Sequence, residues 1–151
     1  MTMDRFNTTR FGEISFDSLD VVTFPEGLAG FTAAKRFVFV QHREGSPFRW
    51  MQSLDDPALA FLVVDPNHYV AEYSPEMPAS AAKKLQLGPE TPLLVYTMAS
   101  IPSGRPEAMT LNLAGPIAVN AETRTALQIV LEGDGWSVRH SVFGADGSQA
   151  A

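Results

Sequence analysis

Apolar residues in this chain fall into short runs separated by clusters of turn-forming residues, the pattern of short β-strands. The runs predict strands over residues 12–16, 21–24, 36–41, 48–52, 59–64, 92–98, 109–113, 117–120, 125–131 and 135–142. Several alternate with period two, as a strand with one buried face does. In the last run Trp136, Val138, His140 and Val142 share one face, and Ser137, Arg139, Ser141 and Phe143 the other. By contrast, residues 37–40 and 59–64 are apolar on both faces. Such runs suit central strands covered on both sides, or strands of a closed barrel with a partner surface outside.

Turn chemistry supports the breaks at 44–47, 65–67, 102–104 and 132–135, which are rich in Gly, Pro, Asp and Asn. Only residues 79–87 predict a helix, with Ala82 and Leu85 on its apolar face and Gly88-Pro89 as its stop. About ten short antiparallel strands and one short helix predict a mostly-β fold, a small barrel or sandwich. Residues 1–10 lack a period and residues 144–151 are small and polar, so both ends read as tails around a single β domain over 11–143. No internal repeat or low-complexity linker divides the chain.

Composition narrows the function classes. A chain of 151 residues with 45% hydrophobic side chains can build one real core. The absence of cysteine excludes a disulfide scaffold, a zinc ribbon and a thiol nucleophile, and agrees with a reducing, cytoplasmic setting. A net charge of −6 argues against a broad grip on nucleic-acid phosphates. The uncharged stretches 91–104 and 108–121 are broken by proline and are shorter than the roughly 20 residues of a spanning helix, so no membrane partner is expected.

The usual catalytic signatures do not occur. Gly-x-Ser-x-Gly, a phosphate-cradling loop and His-Glu-x-x-His are all missing. Gly27-Leu28-Ala29-Gly30 lacks the lysine and the following helix that phosphate binding needs. His42, His68 and His140 form no close pair to nucleate a metal site. Asp55-Asp56 is the only adjacent acidic pair; consecutive strand residues point to opposite faces, and Pro57 follows, so the pair reads as a turn. No enzyme, metal or cofactor is expected.

Several ordered blocks carry a family resemblance. Val22-Thr23-Phe24-Pro25-Glu26-Gly27-Leu28-Ala29-Gly30-Phe31 follows Gly12-Glu13-Ile14, and Met51-Gln52-Ser53-Leu54 comes next. After Pro57-Ala58-Leu59-Ala60-Phe61-Leu62-Val63-Val64-Asp65-Pro66 comes Leu111-Asn112-Leu113-Ala114-Gly115-Pro116-Ile117-Ala118-Val119-Asn120. Over residues 11–143 the chain resembles the flagellar assembly factor FliW family. Ala29 stands where many members carry proline, and Trp136 where tyrosine is common.

The blocks also have physical readings. Pro25, Gly27 and Gly30 make a tight loop, which Phe24 and Phe31 would bracket in the core. Asn112 and Asn120 would bond the backbone around the turn at Gly115 and Pro116. Gln128 alternates with Leu127 and Ile129 and so lies on the less buried side, open either to a structural bond or to a partner.

The resemblance implies a regulatory binding protein. Such a protein binds flagellin in the cytoplasm and also binds the RNA-binding translational repressor CsrA, the carbon storage regulator. Flagellin export then frees the factor to remove CsrA from flagellin messenger RNA. The chain has no acidic run beyond Asp55-Asp56, which favours binding beside the RNA site of CsrA over imitation of an RNA backbone. Candidate partner contacts are Leu54, Asp55, Asp56 and Pro57, an apolar residue flanked by charge, together with Tyr69 and Gln128. An exposed sheet edge is a further candidate. The alternative is a small-ligand or carbohydrate-binding β-barrel.

Overall fold

A computed structural model describes residues 3–41, 43–131 and 135–142. His42, residues 132–134 of the expected turn at 132–135, and the expected tail at 144–151 lie outside the described residues.

The chain opens with a hairpin of β1 (Met3–Thr8) and β2 (Gly12–Asp17), paired from Met3 with Asp17 to Thr8 with Gly12. The expected N-terminal tail is therefore corrected over these residues. Residues 3–8 are largely exposed and carry no apolar alternation, so their partner strand, not their own pattern, makes them extended. The hairpin's turn is tied down by the Thr9 N–H, which donates to the Pro57 carbonyl at 2.9 Å. The Phe11 ring packs edge-on against Trp50, and the Arg10 guanidinium lies 4.2 Å from the Trp50 ring centre.

Nine further strands follow among the described residues. They are β3 (Val22–Thr23), β4 (Arg36–Gln41), β5 (Phe48–Ser53), β6 (Ala60–Val64), β7 (Leu93–Ser100), β8 (Thr110–Leu111), β9 (Ile117–Asn120), β10 (Thr125–Gln128) and β11 (His140–Ser141). The sheet order is β11-β8-β7-β6-β5-β4-β3-β10-β9, and a β7–β9 pairing closes seven of these strands into a barrel. The fold is thus a barrel, with β8 and β11 outside the ring. One pair, β3 with β10, is parallel, and the other pairs are antiparallel. The long β7 permits closure: Leu93 to Tyr96 pair with β9, Val63 and Val64 of β6 pair with Met98 and Thr97, and Ala99 and Ser100 pair with β8.

Strand boundaries differ from expectation where turns intervene. β10 stops at Gln128, yet Ile129 and Leu131 still donate to the carbonyls of Pro116 and Ala114 at 2.8 Å each. The final run does not alternate throughout. Val138 lies in a turn and is 62% exposed, while Trp136 packs edge-on against Tyr73 and Val142 is buried.

The helix α1 (Ala79–Lys84) is shorter than expected. Its buried face is Ala81 and Leu85, four residues apart, and not Ala82 and Leu85. It ends at Gln86, which adopts a left-handed φ of 57° before Gly88 is reached. The Leu87 N–H donates to the Ala82 carbonyl and the Gln86 N–H to the Lys83 carbonyl, the double bond pattern of a Schellman cap.

Among the described residues, three apolar clusters hold the fold. The barrel interior is filled by Val22, Phe24, Phe37, Met51, Val63 and Ile117 with their neighbours. A second cluster, outside the ring, joins Val64, Tyr73, Met109, Leu111, Leu113 and Val142. The third seats Ala81 and Leu85 of α1 against Ala118, Leu127 and Ile129 of β9 and the β10 region. Strands apolar on both faces are thereby explained: the inner face fills the barrel, and the outer face meets a second layer.

Candidate partner-binding surface

The sequence candidates divide into three places. Leu54 to Pro57 form the turn between β5 and β6. Leu54 is only 7% exposed, and its N–H donates to the Arg36 carbonyl at 2.8 Å. It cannot serve as the accessible apolar centre of an interface, which corrects that expectation. The Ser53 hydroxyl accepts the N–H groups of Asp55 and Asp56, each at 3.0 Å. Asp56 caps the turn by accepting the Ala58 N–H at 2.9 Å. Pro57 is exposed, and its carbonyl accepts from Thr9.

Asp55 reaches across to the start of β4. Its Oδ2 accepts the N–H groups of Lys35 and Arg36 at 2.9 Å each, and its Oδ1 meets the Arg36 guanidinium at 3.4 Å. Partial burial pushes the carboxyl upward. The two N–H groups and the guanidinium outweigh that, and hold it below the ordinary carboxylate range. The acidic pair is a turn plus a latch.

The latch closes one side of the loop between β3 and β4. Gly27 and Gly30 both have left-handed φ, 68° and 83°, and a Cβ on Gly27 would collide with the Thr32 carbonyl. Pro25 lies at the loop's entry, where its carbonyl accepts the Lys35 ammonium at 3.0 Å. Leu28 and Phe31 exchange both backbone hydrogen bonds across the tip, at 3.2 and 2.8 Å. Phe24 is fully buried, whereas Phe31 is 44% exposed and rests edge-on against Phe61. The expected pair of core brackets is therefore corrected: one ring is in the core and the other is a half-exposed cover.

Gln128 closes the other side. Its Oε1 accepts the Ala29 N–H at 2.9 Å, and its Nε2 donates to the Gly115 carbonyl at 3.2 Å. A Cβ on Gly115 would lie 2.9 Å from Asn112 Nδ2 and 3.0 Å from Gln128 Nε2, so an added methyl group would press on both carboxamides. Asn112 Oδ1 accepts the Ala114 N–H at 3.1 Å, bonding the turn before Pro116 as expected. Asn120 does otherwise: buried, it accepts from Glu122 and Thr123 and donates to the Leu85 carbonyl at 2.8 Å. It caps the β9–β10 turn and anchors the end of α1.

Tyr69 stands apart from both, beyond the far end of β6. It follows the 3-10 turn Pro66–His68, which Asp65 caps by accepting the Asn67 N–H at 2.9 Å. Burial pushes its phenol above the ordinary tyrosine value. Tyr69 lines a groove of about 890 Å³ on the outer face of β5 and β6, with Phe48, Trp50, Leu62, Ile101 and Met109. Arg43 and Glu44 also line it. Phe48, Trp50 and Leu62 share one face because Phe48 pairs with Val64 and Trp50 with Leu62 across the ladder. Of these groove residues, only Tyr69 is a candidate partner contact from the sequence. The signal was present in the two-faced apolar run at 59–64.

Among the described residues, no group of three or more His, Asp or Glu is placed to hold a metal ion. Among the described residues, no helix is long and apolar enough to cross a membrane.

The family model described as FliW protein matches residues 5–142. The chain is 42% identical over 139 residues to the flagellar assembly factor FliW of Geobacter sulfurreducens, covering 90% of this chain and 84% of that one. It is 36% identical over 136 residues to the flagellar assembly factor FliW of Moorella thermoacetica, covering 90% of this chain and 86% of that one. A crystal structure of the flagellar assembly factor FliW superposes with a TM-score of 0.86 at 28% identity, over 93% of this chain and 98% of that one. With the closed barrel, the ordered blocks and these matches in agreement, the chain belongs to the FliW family.

Proposed function

We propose that this protein is a non-enzymatic binding factor of flagellar assembly that holds flagellin in the cytoplasm. When flagellin leaves by export, the freed factor binds the CsrA-type translational repressor and relieves repression of flagellin messenger RNA. The relatives are named flagellar assembly factors, which supports the assembly role.

The observation that carries the binding reading is the open groove beside Tyr69. Aromatic and aliphatic side chains line it together with the charged Arg43 and Glu44, the mix of apolar and charged groups that a protein interface uses. Flagellin is the occupant we assign. Partner switching then requires that flagellin and CsrA exclude or weaken each other, a negative coupling between two ligands. The net charge of −6 favours encounter with an RNA-gripping protein. No acidic run imitates an RNA backbone, so CsrA binding beside its RNA site is the preferred mode.

For the small-ligand alternative, the most enclosed site is a mainly apolar cavity of about 240 Å³ bordered by Tyr73, Met77, Val95 and Ile129. It falls below the roughly 300–1,000 Å³ typical of ligand sites. The barrel interior itself is packed with side chains.

Co-elution with monomeric flagellin by size-exclusion chromatography, repeated with CsrA added, tests the reading. A flagellin complex that CsrA disperses supports partner switching. Failure to bind either partner at tens of micromolar overturns it.

A further inference from the structure

β3 covers β4 at only two positions, Val22 with Phe37 and Thr23 with Arg36. Continued, the register would set Asp20 opposite Phe39 and Ser18 opposite Gln41. Instead the chain coils there into the 3-10 turn Ser18–Asp20, capped by the Asp17 carboxylate on the Leu19 N–H at 2.9 Å. The wall of the barrel is thus cut short beside the second half of β4.

Backbone alternation shows what the cut exposes. The Leu54 N–H donates to the Arg36 carbonyl at 2.8 Å, so Arg36, Val38 and Val40 aim their peptide groups at β5. On the other edge the Phe24 N–H donates to the Lys35 carbonyl at 2.7 Å, so within β4 the peptide groups of Phe37, Phe39 and Gln41 face the β3 side. For Phe39 and Gln41, no strand remains there among the described residues to take the bonds.

A cleft of about 480 Å³ lies beside this edge, bordered by Ile14 and Phe16 of β2, Asp20, Phe39, Arg49 and Arg124. Arg49 and Arg124 take no part in an ion pair among the described residues. On a chain of net charge −6, this cleft presents two arginines against one aspartate, a local reversal of sign.

We propose that the cleft binds an extended, acidic segment of a partner polypeptide. The segment adds as a strand to the free edge of β4 at Phe39 and Gln41 and directs a carboxylate to Arg49 and Arg124. Backbone bonds supply the affinity of such strand addition, and side-chain pockets its selectivity. Ile14 and Phe16 supply an apolar wall, and the arginines select charge. The inference is independent of the flagellin reading, since no residue of the cleft lines the groove beside Tyr69.

The probe is an acetylated, amidated hexapeptide of alternating valine and threonine with one central glutamate, titrated into the full chain and followed by amide NMR. The expected result is shifted and exchange-protected amides at Phe39 and Gln41. A peptide with lysine in place of glutamate should bind at least about tenfold more weakly, as should Arg49→Gln and Arg124→Gly, each losing one charge-assisted bond. Arg124 has a left-handed φ of 61°, so glycine there removes the charge without straining the fold. Unchanged Phe39 and Gln41 amides at millimolar peptide overturn the proposal. So does equal binding by the lysine peptide, or by one N-methylated at alternate backbone nitrogens.

Discussion

Gln128 accepts the Ala29 N–H at 2.9 Å across 99 residues of sequence, and through the same carboxamide it grips Gly115. Two of the ordered blocks, the loop after β3 and the turn before β9, are thus joined by one side chain that needs both an acceptor and a donor. Replacing Gln128 with alanine should cost about 1–3 kcal/mol in urea unfolding, since two backbone groups lose their partner. Gln128→Glu should be similarly destabilised at neutral pH, because a carboxylate cannot donate to the Gly115 carbonyl. It should recover in acid, where the protonated carboxyl can. Equal stability of Gln128→Glu and the parent chain at pH 7 would refute the two-sided clamp.

Gly115→Ala should destabilise by about 1–3 kcal/mol through overpacking against Asn112 and Gln128. In a double-mutant cycle with Gln128→Ala, the combined cost should fall short of the sum, because the shorter side chain vacates part of the space. Strict additivity would mean that the added methyl group is accommodated by backbone movement instead.

Asp55→Ala should cost about 1–2 kcal/mol, comparable to loss of a helix N-cap, because two backbone N–H groups lose a charged acceptor. The Asp55 carboxyl is held below its ordinary value of 3.8 in the folded chain. Its stabilisation is therefore fully present above that value and is lost as pH falls through the lower folded value. The gap between parent and Asp55→Asn in thermal unfolding should be constant near neutrality and narrow in acid.

Tyr73 gives the opposite pH dependence. Its hydroxyl donates to the Leu113 carbonyl at 2.6 Å, and burial pushes the phenol up from 10.0 to about 12. The contribution is full below 10.0 and is lost as pH rises toward about 12. Tyr73→Phe should flatten the alkaline limb of the stability curve, measured by denaturant unfolding in steps from pH 9 upward.

Leu54 and Ile101 separate stability from binding. Leu54 is buried, so Leu54→Ala should lose about 2–5 kcal/mol and reduce flagellin binding only as far as it unfolds the chain. Ile101 is 46% exposed and lines the groove, so Ile101→Asp should leave unfolding within about 0.5 kcal/mol of the parent and weaken flagellin co-elution. Undiminished binding by folded Ile101→Asp would remove the groove from the flagellin interface.

Several features were determined by the sequence alone. The strands at 36–41 and 117–120 were legible to the residue, because short continuous apolar runs bounded by turn residues act locally. The turn character of Asp55 and Asp56 was legible too, since Pro57 leaves few alternatives. The ordered blocks carried the family.

Tertiary structure decided the rest. Met3–Thr8 becomes a strand only because β2 pairs with it. Leu54 is withdrawn into the core by its position on the ladder, which no local pattern reports. Whether Gln128 faces a partner or Ala29 depends on a loop 99 residues away. Barrel closure itself rests on β7 meeting β9 and β6 in succession, and the groove beside Tyr69 and the cleft beside Phe39 exist because of where those pairings stop. Propensity and patterning act over a few residues, whereas register, closure and burial are set by contacts between segments that the sequence keeps far apart.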